Sequence, residues 1–275
     1  MEYTEITYEQ SGPVTLIKLN RPEVRNCIGP RTHRELIEAW TRFRDDASAL
    51  VAIFTGEGDK AFCSGADLKN AQALLPSTPE QVRASNEGKL PGMIGPSRMT
   101  DIYKPMIAVI NGVAYAGGLE WACFADIRIA EEHATFGVTC RRWNIGLGDG
   151  GTQRLPRIIG MGRAMELIIT GRVIDATEAE RIGLVNEIVS KGSGLTRAFE
   201  LANFIAGLPQ EAMRTDKEAA QRGFGHELRE GLRIEAECFN RLLGSASTAE
   251  GIRRFVERDH PDRRPGEARV TPGLE

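Results

Sequence analysis

The sequence predicts an α/β fold with mainly parallel strand pairing, followed by a helical C-terminal region. Two observations carry this. Short, continuously apolar runs alternate with helical patterns through the first half, and from Thr152 onward one helical pattern follows another. The opening strand is "PVTLIKL", with Val14, Leu16 and Leu19 apolar, and "NRPEVRN" breaks it with a proline and polar groups. "GPRTHRELIEAWTRFRDD" predicts a helix, since Leu36, Trp40 and Phe43 fall at i, i+4 and i+7. "LVAIFTGEG" and "PMIAVINGVAYAGG" are continuously apolar and predict buried strands. "IRIA" and "ATFGV" predict further short strands, and "GGLEWACFAD" predicts a helix between them. In the second half, "HELREGLRIEAECFNRLL" places Leu228, Leu232, Phe239 and Leu242 at near-helical spacing, a stripe expected to bury against the first half or another subunit. The tail "DHPDRRPGEARVTPGLE" is charged and rich in Pro and Gly, and is expected to be poorly ordered. The chain is thus expected to divide into a core, residues 1–200, and a helical region, 201–275.

Bulk properties narrow the function. A formal net charge of −3 over 275 residues provides no global basic field, so no nucleic-acid partner is expected. No apolar run reaches spanning length, and "MEYTEITYEQ" lacks a basic segment followed by an apolar stretch, so no membrane association and a cytoplasmic location are expected. The five cysteines are scattered without a CxxC pair, which argues against a disulfide scaffold or a zinc site. The GxGxxG fingerprint and the Walker P-loop are absent.

Two stretches point to chemistry. In "AFCSGADL" and in "NGVAYAGGLEWACFAD" a strand runs into small residues and then a helix start. Free backbone N–H groups with little side-chain bulk around them form an oxyanion hole when two converge on one oxygen, and Ala66 and Gly117 are the candidate donors. Tight packing alone explains either turn taken singly. Glu120 follows Gly117 by three residues among Leu119, Trp121, Ala122, Cys123 and Phe124. A carboxylate in such surroundings is costly to bury without a task, which makes Glu120 a candidate general acid/base. The bland alternative is a charge favourable to the helix N-terminus.

With "LNRPEVRN", "AFCSGADL", "INGVAYAGGLEWACFADIRIA", "GGTQRLPRIIG" and "ITGRVIDATEAERIGLVNEIV", the chain resembles the crotonase superfamily, the enoyl-CoA hydratase/isomerase family, over most of Pro13 to Val189. The resemblance implies a crotonase-like spiral of ββα units with a C-terminal helical trimerisation region, assembled as a homotrimer or a dimer of trimers. It implies an acyl-CoA substrate, with coenzyme A as part of that substrate and no permanently bound cofactor or metal. The thioester carbonyl would lie between Ala66 and Gly117, and Glu120 would take the place of the family's first catalytic glutamate. Ser64, Asp67, Cys140, Trp143 and Gly148 are the expected substrate-binding neighbours. Arg25 in "NRPEVRN" and Arg258 in "EGIRRFVERDHP" are the expected coenzyme A contacts.

The sequence departs from the family in the loop "GVTCRRWNIGLGDGG". Counted without a gap from Phe136–Gly137, Cys140 occupies the position of the second glutamate of family hydratases. A thiol with a reference pKa of ~8.5 is a poor substitute for a carboxylate. Asp149 is expected either to compensate as a second catalytic carboxylate or to cap the helix beginning "GGTQRLP". Arg141 and Arg142 are expected either to meet the anionic coenzyme A or a substrate carboxylate, or, as the preferred reading, to form ion pairs between subunits. The reading is therefore a lyase adding or removing water at the α,β position of an acyl-CoA. Alternatives are a double-bond isomerase, a C–C bond hydrolase of a β-dicarbonyl substrate in which Asp149 is prominent, and a non-catalytic binding protein. The acyl group depends on "AQALLPSTPEQVRASNEGKLPGMIG", whose Pro, Gly and Ser predict mobility.

Overall fold

A computed structural model describes residues 3–257. The first of its two units comprises residues up to 99 together with 105–202, and the second comprises 100–104 with the chain beyond 202. The strands are β1 (Ile6–Ser11), β2 (Val14–Leu19), β3 (Val51–Gly56), β4 (Ala61–Cys63), β5 (Met106–Ile110), β6 (Val113–Tyr115), β7 (Ile127–Glu131), β8 (Thr135–Gly137), β9 (Val173–Asp175) and β10 (Glu187–Val189). The helices are α1 (Pro30–Asp45), α2 (Pro79–Asn86), α3 (Gly117–Ala122), α4 (Gly151–Ile159), α5 (Met161–Thr170), α6 (Ala176–Arg181), α7 (Gly194–Ala206), α8 (Gln210–Gly223), α9 (Leu228–Leu243) and α10 (Ala246–Glu257).

One sheet has the order β1-β2-β3-β5-β7-β10 and a second the order β4-β6-β8-β9. Pairing is parallel except at β1–β2 and β8–β9. Every residue of β3 and β5 is buried, as their unbroken apolar sequences require. The expected single strand "PMIAVINGVAYAGG" is in fact two strands, one in each sheet. It breaks at Asn111–Gly112, where a Cβ on Gly112 would stand 2.4 Å from the Lys60 carbonyl carbon and 2.5 Å from the Ala61 nitrogen. Asn111 secures the corner, accepting from the Thr55 hydroxyl (3.0 Å) and donating to the Gly56 (2.7 Å) and Gly58 (2.6 Å) carbonyls.

Three strands lie outside the sequence expectation. β1 is largely polar and solvent-facing, which hides its strand character. β9 and β10, each three residues long, are too short to show a period within the region expected to be purely helical. Beneath the site, an aromatic cluster joins α1, β3 and α3. Trp40 meets Phe54 edge-on at 5.2 Å, and Trp121 meets Phe124 at 5.3 Å. These rings anchor the short helix that carries Glu120.

In the second unit, α8 and α9 form a helical hairpin whose backbones approach closely at Gly223 and Gly231. Within the single chain, the stripe expected on α9 does not bury against the first half. Leu228, Leu232 and Phe239 are exposed in the chain, whereas Ile234 and Cys238, at i and i+4, are its buried side.

Candidate active site

β4 leads through Ser64 and Gly65 to Ala66, and β6 leads through Ala116 to Gly117. The two turns meet with almost no side-chain bulk. A Cβ on Gly118 would stand 1.9 Å from the Cys63 carbonyl oxygen, and one on Gly117 3.6 Å from the Ala66 nitrogen. Gly65 sits at φ +96 and Ala116 at φ +50, a backbone conformation unusual for a residue with a side chain. Around Ala66, a bridge to Ile28 uses the amides of Ile28 (2.8 Å to Gly65 O) and Asp67 (2.9 Å to Ile28 O), leaving the Ala66 N–H outside it. Gly117 is the first residue of α3, so its N–H has no acceptor within its own helix.

One turn further along α3, Glu120 is 3% exposed. Its Oε1 accepts from the backbone amides of Asp149 and Gly151, each at 2.8 Å. Only a glycine fits at 151, since a Cβ there would lie 2.7 Å from Glu120 Cγ. Burial, and next the charge of Asp149, push the Glu120 carboxyl up to about 7 against the lowering effect of those amides. A carboxyl that titrates near neutrality can both take and give a proton.

Ser64, Ala66, Gly117, Glu120, Cys140, Trp143, Gly148 and Asp149 line one pocket of about 130 Å³, with Leu68, Met93, Ile94 and Ile145 supplying apolar wall. Cys140 stands on the 3-10 helix Thr139–Trp143, and burial pushes its thiol up, so it is protonated at neutral pH. The indole of Trp143 is 72% exposed at the rim.

Several sequence expectations meet a different arrangement. Asp67 is not in the pocket lining. Its carboxylate caps the following 3-10 turn through Lys69 N (3.2 Å), accepts from Asn70 Nδ2 (3.1 Å) and pairs with Arg21 (3.4 Å). Asp149 does not cap α4, because Gly150, at φ +102, holds the cap position without a side-chain bond. The buried Asp149 Oδ1 accepts instead from Met93 N (2.8 Å), Ile94 N (3.2 Å) and Ser97 Oγ (2.5 Å). Arg141 braces its own chain, donating to Ile168 O at 3.0 Å. Arg25 is exposed at the end of the 3-10 helix Pro22–Val24, outside the pocket. Arg258 and the charged tail lie outside the described residues. The stretch expected to shape the acyl pocket does bring Met93 and Ile94 to the lining, but sequence reasoning missed the bonding of its Pro91–Arg98 turn to Asp149, for which the glycines and Ser97 were the available signal.

Residues 9–264 match the family model described as enoyl-CoA hydratase/isomerase. The short-chain-enoyl-CoA hydratase of Clostridium acetobutylicum is 34% identical over 261 residues, covering 94% of this chain and 97% of that protein. The (E)-benzylidenesuccinyl-CoA hydratase of Thauera aromatica is 35% identical, covering 93% and 97%. Among solved structures, enoyl-CoA hydratase from Bacillus anthracis superposes with a TM-score of 0.80 at 36% identity, covering 93% of this chain and 97% of that one. A match across nearly the whole chain, on this fold, makes the protein a member of the enoyl-CoA hydratase/isomerase family.

Proposed function

We propose that the protein hydrates the α,β double bond of an enoyl-CoA thioester, or dehydrates the 3-hydroxyacyl-CoA, through an enolate held by the Ala66 and Gly117 amides. One observation carries the reading: the Glu120 carboxyl, titrating near neutrality, stands in a largely apolar pocket beside two backbone N–H groups that lack local acceptors. In hydration, ionised Glu120 takes a proton from water and the hydroxide oxygen bonds to the β-carbon. The π electrons move onto the thioester oxygen, where two N–H donors stabilise them. The proton held by Glu120 is then delivered to the α-carbon and the carbonyl re-forms. Dehydration is the reverse.

The thiol of Cys140 stands where a second carboxylate would share this work, so Glu120 performs both transfers. The same feature favours a second reading, a double-bond isomerase, because moving one proton from the γ- to the α-carbon needs one carboxylate. A C–C hydrolase driven by Asp149 is less well supported, since its Oδ1 already accepts three hydrogen bonds. Arg25 and Arg258 are the proposed contacts for coenzyme A phosphates, and no other cofactor is invoked. The five free thiols fit a reducing compartment such as the cytoplasm. No helix among the described residues is long and apolar enough to cross a membrane. The proposed assembly is a homotrimer or a dimer of trimers built on the helical C-terminal region.

The test is turnover of a panel of enoyl-CoA, 3-hydroxyacyl-CoA and cyclic diketone substrates by the wild type and by Glu120→Ala. Glu120→Ala is expected to lose at least ~10²-fold in kcat, the scale of a general acid/base. Full activity in that variant would sink the mechanism, and a shifted double bond without hydration would select the isomerase.

A further inference from the structure

Pro91–Arg98 forms a closed turn, with Arg98 N donating to Pro91 O at 3.0 Å. It is tied to the loop that supports Glu120 at two adjacent residues. Arg98 donates twice to Gly148 O (2.8 and 3.2 Å). Asp149 Oδ1 collects Met93 N, Ile94 N and Ser97 Oγ. The turn is shaped for this contact: Gly92 is at φ +118, and a Cβ on it would meet Ser97 Oγ at 2.2 Å and Asp149 Oδ1 at 2.6 Å. Its product is the placement of Ile94. The Ile94 carbonyl accepts from Trp121 Nε1 at 2.8 Å, and a Cβ on Gly117 would stand 2.6 Å from Ile94 Cδ1. Ile94 therefore packs against Gly117 in the wall of the pocket that holds the amide pair.

We propose that Asp149 is a positioning residue, a latch whose carboxylate holds the Pro91–Arg98 turn and its Ile94 against Gly117, beside the amide pair, while its own N–H fixes Glu120. It does not itself transfer a proton. The latch closes the pocket wall and keeps water off the enolate oxygen. After burial, the charge of Asp149 is the next cause that raises the neighbouring Glu120 carboxyl. The other groups facing Glu120 are Cys123 at the C-terminal cap of α3, Cys140 of the 3-10 helix and Arg154 of α4. Against Asp149 itself stand Arg154 and His33 of α1, and the His33 Nδ1 accepts from Gly95 N at 2.8 Å.

The inference rests on the reaction proposed above, and its test includes measurements that need no substrate. Asp149→Asn keeps an accepting oxygen but removes the charge, whereas Asp149→Ala removes both. Amide hydrogen exchange over residues 91–98 and the ¹³C titration of the Glu120 carboxyl are followed in the free protein, with kcat and KM measured alongside. In Asp149→Ala the turn is expected to lose protection and KM to rise. In Asp149→Asn the turn is expected to stay protected, the Glu120 midpoint to fall, and kcat to drop by no more than about tenfold, below the range of a lost proton-transfer group. Two results would overturn the latch. One is unchanged protection in Asp149→Ala. The other is a loss of about 10²-fold or more in Asp149→Asn with protection and Glu120 titration unmoved, the mark of a carboxylate that transfers the proton itself. If the wild type turns over none of the thioesters, the reaction reading falls, but exchange and titration still report on the latch.

Discussion

Glu120 is isolated among apolar neighbours in the sequence and is 3% exposed in the fold. Its carboxyl is raised from 4.5 to about 7 by burial and by Asp149. The sign of the stability effect follows. Below pH 4.5 the group is protonated in both folded and unfolded chains and costs nothing. As pH rises, the unfolded chain ionises first, and the folded state falls behind until about pH 7, by about 3 kcal/mol. Gln at this position keeps an oxygen for the Asp149 and Gly151 amides but never ionises. Glu120→Gln is therefore expected to match the wild type near pH 4.5 and to be the more stable protein at pH 8, by up to about 3 kcal/mol in denaturant unfolding. A pH-independent difference would mean the carboxyl is not raised. The same ionisation gates turnover, since both directions begin with Glu120 accepting a proton. The kcat/KM profile should rise with pH to a midpoint near 7 and then level.

The two small-residue turns were legible at the level of the element because each is local: strand, small residues and helix start are contiguous in sequence. Cys140 was legible for the same reason, since the loop from Phe136 to Gly151 needs no gap to place it in the pocket. Asp149 was not. Its partners Met93 and Ile94 are 56 and 55 positions away, and such hydrogen bonds leave no periodic trace. Asp67, adjacent to a recognisable motif, was misplaced because its side chain turns back to cap its own 3-10 turn and meet Arg21. The contact of β4 with α3 is the element on which the amide pair depends. Gly118→Ala puts a methyl 1.9 Å from the Cys63 carbonyl oxygen, a backbone atom that cannot rotate away. A loss of about 2–3 kcal/mol in stability is expected from such overpacking. A fall of about 10²-fold in kcat is also expected, because the donors would be displaced from one oxygen. Gly162→Ala, where a Cβ meets nothing within 4 Å, is the matched control and should leave both unchanged. Equal behaviour of the two variants would show that the close approach is not needed.

Over the whole molecule, the apolar stripe of α9 is left open by the chain itself, with Leu243 as its last member where Leu242, half-buried, was expected. Leu228, Leu232, Phe239 and Leu243 project from α9 at 75%, 53%, 50% and 49% exposure, and Ile252, Phe255 and Val256 of α10 are likewise exposed. Spacings of four, seven and four residues put the α9 set on one helical face. Contiguous apolar surface of this kind marks a contact site. Burying each such side chain is worth roughly 1.5–3 kcal/mol, enough over several residues to hold an assembly at micromolar concentration. Sequence reasoning could find the stripe but could not say which partner covers it, because periodicity reports one face of a helix and nothing about the opposing surface. The proposed partner is a second copy of the chain. Sedimentation of the wild type should give a trimer or hexamer, and Leu232→Asp combined with Phe239→Asp should give a monomer. Because both side chains are exposed in the isolated chain, helical circular dichroism should be retained, which separates loss of assembly from loss of fold. A wild type that sediments as a monomer at micromolar concentration would remove self-association as the role of this face.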